Sequence, residues 1–244
     1  MRYEWTWLDV AMIVAIGIVA ALNVFLYTLI YDSPAVALGD NVANIPGGSA
    51  PGIDARRTAA EAAEQDNSAA LPGRFVPNQG RQHVNDGRRV AYCGDGPVTN
   101  ACYSTVPPTS GLHLGVQRSA RLSDGNVINV PPDPNVYDFP IPREVVAHIQ
   151  EHAGVFLGYN CASADCRQSV SRTERLVLGE LALGARVVMA PFADLPEDTI
   201  ALASWTRLDD FTPTEYTDER VRDFIKAHSC RFDPEGFCDE PVVN

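Results

Sequence analysis

I-P-R-E-V-V-A-H-I-Q-E-H-A-G-V, residues 141–155, is the stretch around which the chain is organised. Pro142 suits the first position of a helix, where its missing N–H would have no partner, and no breaker intervenes before Gly154. The predicted helix is about three turns long. His148 and His152 then stand one turn apart on one face, because side chains four residues apart stack along a 3.6-residue repeat. Two imidazoles so placed can share a metal ion. Val145, Val146 and Ile149 supply an apolar side for packing on a sheet. The competing reading is a pair of structural histidines held by hydrogen bonds.

Downstream the pattern is regular. Residues 154–159 (G-V-F-L-G-Y) read as a buried strand, 171–183 as a helix carrying Leu176, Val177 and Leu181, 186–190 (R-V-V-M-A) as a second buried strand and 199–205 (T-I-A-L-A-S-W) as a third. A helix over 218–227 places Val221, Phe224 and Ile225 on one face. The order helix, strand, helix, strand, strand, helix predicts an α+β fold: a small mixed sheet with packed helices, thioredoxin-like in the element order of its C-terminal part. No C-x-x-C occurs, so no dithiol chemistry follows from that order. Upstream, R-R-V-A-Y (88–92) reads as a short strand. Residues 102–142 are crowded with Pro and Gly and predict a long ordered loop or a few irregular strands, a kind of segment that tends to carry function.

The formal charge of -12, from 19 basic and 31 acidic residues, excludes the basic patch that a nucleic-acid partner requires. Residues 10–31 carry no charge, and about 20 apolar residues span a bilayer core as a helix. Trp5, Trp7, Tyr27 and Tyr31 are placed as interfacial aromatics. The expectation is an N-terminal transmembrane signal anchor over 1–32. The rival is a cleaved signal peptide, for which Ala35-Val36-Ala37 imitates a cleavage site. Residues 33–73, rich in Ala, Gly, Pro and Asn, read as an extended linker in which 54–65 has the Ala and Glu content of a short helix but no apolar stripe. Residues 74–244 form the predicted extracytoplasmic α+β domain.

The six cysteines fall in three local pairs, Cys93/Cys102, Cys161/Cys166 and Cys230/Cys238, and neighbour pairing is the simplest connectivity. Disulfides persist in oxidising compartments, so the chain is expected to sit once through the cytoplasmic (inner) membrane with its C-terminal part periplasmic.

Four of the five histidines lie in distinctive strings: G-R-Q-H-V at His83, P-P-T-S-G-L-H at His113, and H-I-Q-E-H-A-G-V at His148 and His152. His228, near the end of the last helix, is expected to be structural, as a cation complementing the helix dipole. These strings, with the Y-D-x-P-I-P-R-E-x-V-x-H-x-x-E-H-x-G-V block, V-V-M-A-P and A-L-A-S-W, resemble the bacterial family known as domain of unknown function 3105 across about residues 77–225. Leu112, Gln150 and Ala153 depart from the residues usual there, and every histidine is kept. The resemblance implies a single-pass membrane protein.

Imidazoles bind copper, zinc, iron and nickel, and a thioether joins when the ion is soft. The expected site is one transition metal, copper first and zinc second, held by His113, His148 and His152 with His83 and Met189 as outer candidates. Glu151 is expected to hydrogen-bond a ligand imidazole. Met189 also reads as an ordinary core methionine. Two other readings stand beside this one. H-I-Q-E-H fits the H-x-x-E-H pattern of inverted zinc peptidases, with Glu151 as general base. A membrane helix, a linker and a disulfide-stapled head also describe an accessory subunit of a larger membrane complex, Gly17, Ala20, Ala21 and Asn23 forming its helix-packing face. No phosphate loop, dinucleotide fingerprint, nucleophile elbow or haem-attachment motif occurs, and no set of catalytic residues is assigned.

Overall fold

A computed structural model describes residues 51–85, 88–115, 117–122 and 124–238. The expected anchor and residues 33–50 of the expected linker lie outside the described residues. Among the described residues no helix is long and apolar enough to cross a membrane.

In chain order the elements are α1 (Pro51–Gln65), β1 (Arg74–Phe75), β2 (His83–Val84), β3 (His113–Leu114), β4 (Gln117–Arg121), β5 (Val127–Val130) and β6 (Asn135–Val136). Next come α2 (Arg143–Glu151), β7 (Val155–Asn160), α3 (Ala164–Ala182), β8 (Val187–Pro191), β9 (Thr199–Ser204), β10 (Arg207–Phe211), a 3-10 turn at Pro213–Glu215 and α4 (Asp218–His228). Six strands make one mixed sheet in the order β1-β10-β9-β7-β8-β6. β7 is parallel to β8, to which α3 crosses over, and antiparallel to β9. Residues 155–158 are all buried, with no alternation, because both faces of the sheet are covered.

On one face, Val145, Val146 and Ile149 of α2 join Phe156, Val188, Ala190, Ala201 and Ala203. Ala120, Ile128 and Val130 of the β4–β5 hairpin belong to the same cluster. On the other face, Val170 and Val177 of α3 and Val221, Phe224 and Ile225 of α4 cluster with Leu157, Met189, Ile200 and Leu202. Successive residues of β8 thus enter opposite layers, Val188 and Ala190 into the first, Val187 and Met189 into the second.

The mixed sheet with packed helices matches the α+β expectation, with differences of local physical origin. β10 (R-L-D-D-F) is a strand additional to the expected order. Its Arg207 is buried, and its guanidinium donates to the carbonyls of Gly73, Asp66 and Ser68 at 3.1, 2.7 and 3.0 Å. The first helix after β7 starts at Ala164, not 171, because the Ser163 side chain caps it by accepting from the Cys166 N–H at 3.1 Å. Residues 88–92 are not a strand and make only an isolated bridge, Tyr92 to Tyr103. Part of the expected linker is helix α1, which docks rather than extends: Trp205 Nε1 donates to Glu64 Oε1 at 3.1 Å, and Ala60 is buried with Trp205 and Phe232.

All six cysteines are paired as neighbours, with Cα separations of 5.0 Å (Cys93–Cys102), 5.3 Å (Cys161–Cys166) and 5.9 Å (Cys230–Cys238). The exit from α2 is tight. Ala153 takes a left-handed φ of 66°, and the Gly154 N–H donates to the Ile149 carbonyl at 2.9 Å. A Cβ on Gly154 would stand 2.7 Å from Ile149 Cγ2 and from the Ile149 carbonyl oxygen, so only glycine closes this turn as built.

Candidate metal centre

The histidines gather where α2 meets the two-stranded parallel ladder of β2 and β3. His83 lies opposite His113 in that ladder. Its backbone is held from the P-P-T-S-G loop: the Gly111 N–H donates to Gly80 O at 2.8 Å and the His113 N–H to Gln82 O at 3.1 Å. Gly111 has a φ of 108°, a conformation that favours glycine. Gln79 locks the loop from beneath, its amide donating to Thr99 O and Cys102 O while its carbonyl accepts from Ser104 N–H and O–H. The Tyr103 hydroxyl donates to Leu112 O.

Helix α2 is tied at its N-terminal end to residues 89–90 and at its C-terminal end to the P-P-T-S-G loop. Glu144, buried in the first turn, accepts from the Val90 N–H at 2.7 Å and pairs with Arg89 at 3.3 Å. Gln150 donates to Pro108 O at 2.9 Å. Gln150 therefore has a clamp to hold.

His113, His148, Glu151 and His152 are all at least nine-tenths buried, and His83 is exposed at the rim. His113 Nδ1 lies 2.9 Å from Gly111 O, and His148 Nδ1 is bonded to Leu114 O. A carbonyl only accepts, so each Nδ1 carries a proton, and in the neutral ring Nε2 presents a lone pair. His148 Nε2 is 2.7 Å from His152 Nε2. His113 Nε2 is 2.7 Å from Glu151 Oε2, yet neither atom makes a hydrogen bond of acceptable angle. Two electron-rich atoms at that distance need positive charge between or beside them, a proton or a metal ion. The ring centroids of His113 lie 4.8 Å from His83 and 5.0 Å from His148.

Burial pushes His148 down to about 3, with the neighbouring His152 adding to the effect and the Leu114 carbonyl opposing it. Burial likewise pushes His152 down to about 4, against the pull of Glu151. At neutral pH both rings are uncharged, the form that ligates metal. Burial pushes the Glu151 carboxyl up, but its contact with His113 and the fields of His113, His148 and His152 outweigh this and hold it below the ordinary carboxylate value.

Of the expected ligands, His83, His113, His148 and His152 are brought together and Met189 is not. Met189 packs in the layer beneath the sheet, opposite α2, so it is a core residue. His228 is structural as expected but is no cation: burial pushes it down to about 4, and its Nε2–H donates to Pro72 O at 2.9 Å. Glu151, expected only as a hydrogen-bonding neighbour, stands among the possible ligands. Glu235 was missed. The Cys230–Cys238 loop carries it to 3.6 Å from His152 Nε2 and sets Phe237 against the same ring, tilted by 47°, at 4.3 Å between centroids. The cysteine spacing announced a stapled loop there, but nothing in the sequence told where it would land.

The fold and the cluster together define an α+β protein with a buried histidine–carboxylate centre. The chain belongs to the family described as protein of unknown function (DUF3105), which matches residues 95–240. The match starts beyond the expected residue 77, leaving His83 outside it, and runs past 225 to take in Glu235. No curated protein and no solved structure matches the chain.

Proposed function

We propose that this chain is a membrane-anchored, extracytoplasmic protein whose folded part binds transition metal at the histidine cluster. The observation that carries the reading is the convergence of buried imidazole and carboxylate lone pairs, with the outer nitrogens of His113 and His148 oriented by backbone carbonyls. With Met189 on the far side of the sheet, the thioether argument for a soft cuprous ion falls away. Imidazole and carboxylate donors suit a divalent ion, and copper(II) outranks zinc in intrinsic affinity for such a set. Three disulfides and an uncharged run at residues 10–31 support the extracytoplasmic, anchored placement.

The peptidase reading has less support. The cavity beside His152 measures about 10 Å³, room for one water, and Glu235 and Phe237 stand over the ring. That cavity is too small for a peptide.

Thermal unfolding of the full chain with and without added copper(II) or zinc tests the proposal. An ion at 100 times its dissociation constant stabilises a one-site protein by about 2.7 kcal/mol. The expected upward shift in Tm shrinks in the His148→Ala, His152→Ala double variant, which lacks the helix-borne pair of ligands. No shift with either ion in the parent chain contradicts the proposal.

A further inference from the structure

We infer that the cluster is built for two metal ions, bridged by the Glu151 carboxylate. The inference rests on the metal-binding reading above and deepens it. The donor atoms within 4.8 Å of one another fall into two triads, His83–His113–Glu151 and His148–Glu151–His152, and Glu151 is the member that both contain.

The triads have separate origins in the fold. The first is supplied by the β2–β3 ladder, whose register sets His83 opposite His113. The second is supplied by one turn of α2, where His148 and His152 face each other. Glu151, the residue before His152, turns its carboxylate to His113 and so reaches from the helix to the ladder. With Glu235 beside His152, six protein donors converge, more than one tetrahedral ion accepts. A carboxylate has two oxygens, and one shared carboxylate is a common bridge between ions about 3.5–4 Å apart.

Exposure separates the two positions. His83 is at the surface, so the ladder ion is open to solvent and exchanges readily. His148 and His152 are buried, and the Cys230–Cys238 loop covers His152, so the helix ion is held the more tightly. The pair therefore has one exchangeable and one resident position. That arrangement suits acquisition and handover of metal at the ladder ion.

Titration of the full chain with copper(II) chloride, and separately with zinc chloride, reads the stoichiometry. Paramagnetic resonance of the copper form reads the coupling between ions. The expected result is two equivalents bound in two steps, with a copper signal strongly diminished by coupling. His83→Ala, an exposed substitution that leaves the fold intact, then binds one equivalent and shows an ordinary isolated copper(II) signal. Glu151→Gln binds copper without the coupling. One equivalent in the parent chain, or two that are uncoupled and indifferent to Glu151→Gln, overturns the inference and leaves the metal-binding reading standing. No bound copper or zinc overturns both.

Discussion

His148 and His152 meet Nε2 to Nε2 at 2.7 Å, across one turn of α2, inside the protein. His148 already donates from Nδ1 to Leu114 O, so its Nε2 can only accept. Without an ion, His152 must donate from Nε2, which leaves its buried Nδ1 with no partner. A metal ion resolves the conflict, taking a lone pair from each ring. The geometry is thus costly as a purely structural contact and fitting as a pair of ligands.

Gly154 holds this pair in place from the C-terminal end of the helix. Gly154→Ala sets a Cβ 2.7 Å from the Ile149 carbonyl, which belongs to the backbone and cannot step aside alone. The expected cost is about 1–3 kcal/mol of unfolding free energy, the usual range for overpacking, read from the denaturant midpoint. Because α2 must shift to accommodate the methyl, the variant also binds copper(II) more weakly than the parent.

The Cys230–Cys238 loop is expected to act as a cover. Replacing both cysteines by serine releases Glu235 and Phe237 from His152 while leaving the sheet and α2 untouched. The variant remains folded and loses metal to a competing chelator faster than the parent. Closing a loop this short contributes about 2–3 kcal/mol, so Tm falls as well. Unchanged metal release would show that the loop covers nothing that matters.

Stability should fall in mild acid through His228, which is not a member of the cluster. Its folded value of about 4 lies below the ordinary 6.5, because burial disfavours the charged ring and its buried Nδ1 has no acceptor. A lowered histidine contributes stability that is complete above pH 6.5 and is lost as pH falls toward 4, up to about 3 kcal/mol. His228→Gln keeps a donor for Pro72 O and removes the titration. Its stability should vary less between pH 6.5 and 4 than that of the parent, by urea unfolding at a series of pH values.

The core of this account was readable in residues 141–155, because a helix with a glycine stop and two histidines at a four-residue spacing admits few other geometries. The buried strands β7, β8 and β9 were equally legible, as apolar runs too short for helices. β10 was not, since a strand whose arginine is buried against backbone carbonyls looks like a surface segment until its partners are known. Met189 was misassigned for a related reason. Strand alternation puts Val188 and Met189 on opposite faces, but sequence alone does not say which face looks toward α2. Glu235 depended on where a stapled loop docks, a tertiary fact with no local signature.

The central claim is that the histidine cluster binds transition metal, and elemental analysis tests it most directly. The measurement compares the full chain, purified without chelator or added metal, with Met189→Leu and with the His148→Ala, His152→Ala double variant. The account predicts copper or zinc in stoichiometric amount in the parent chain and in Met189→Leu, and a lower content in the double variant, which lacks the helix-borne pair. Equal and negligible metal in all three, in protein shown to be folded, would contradict it.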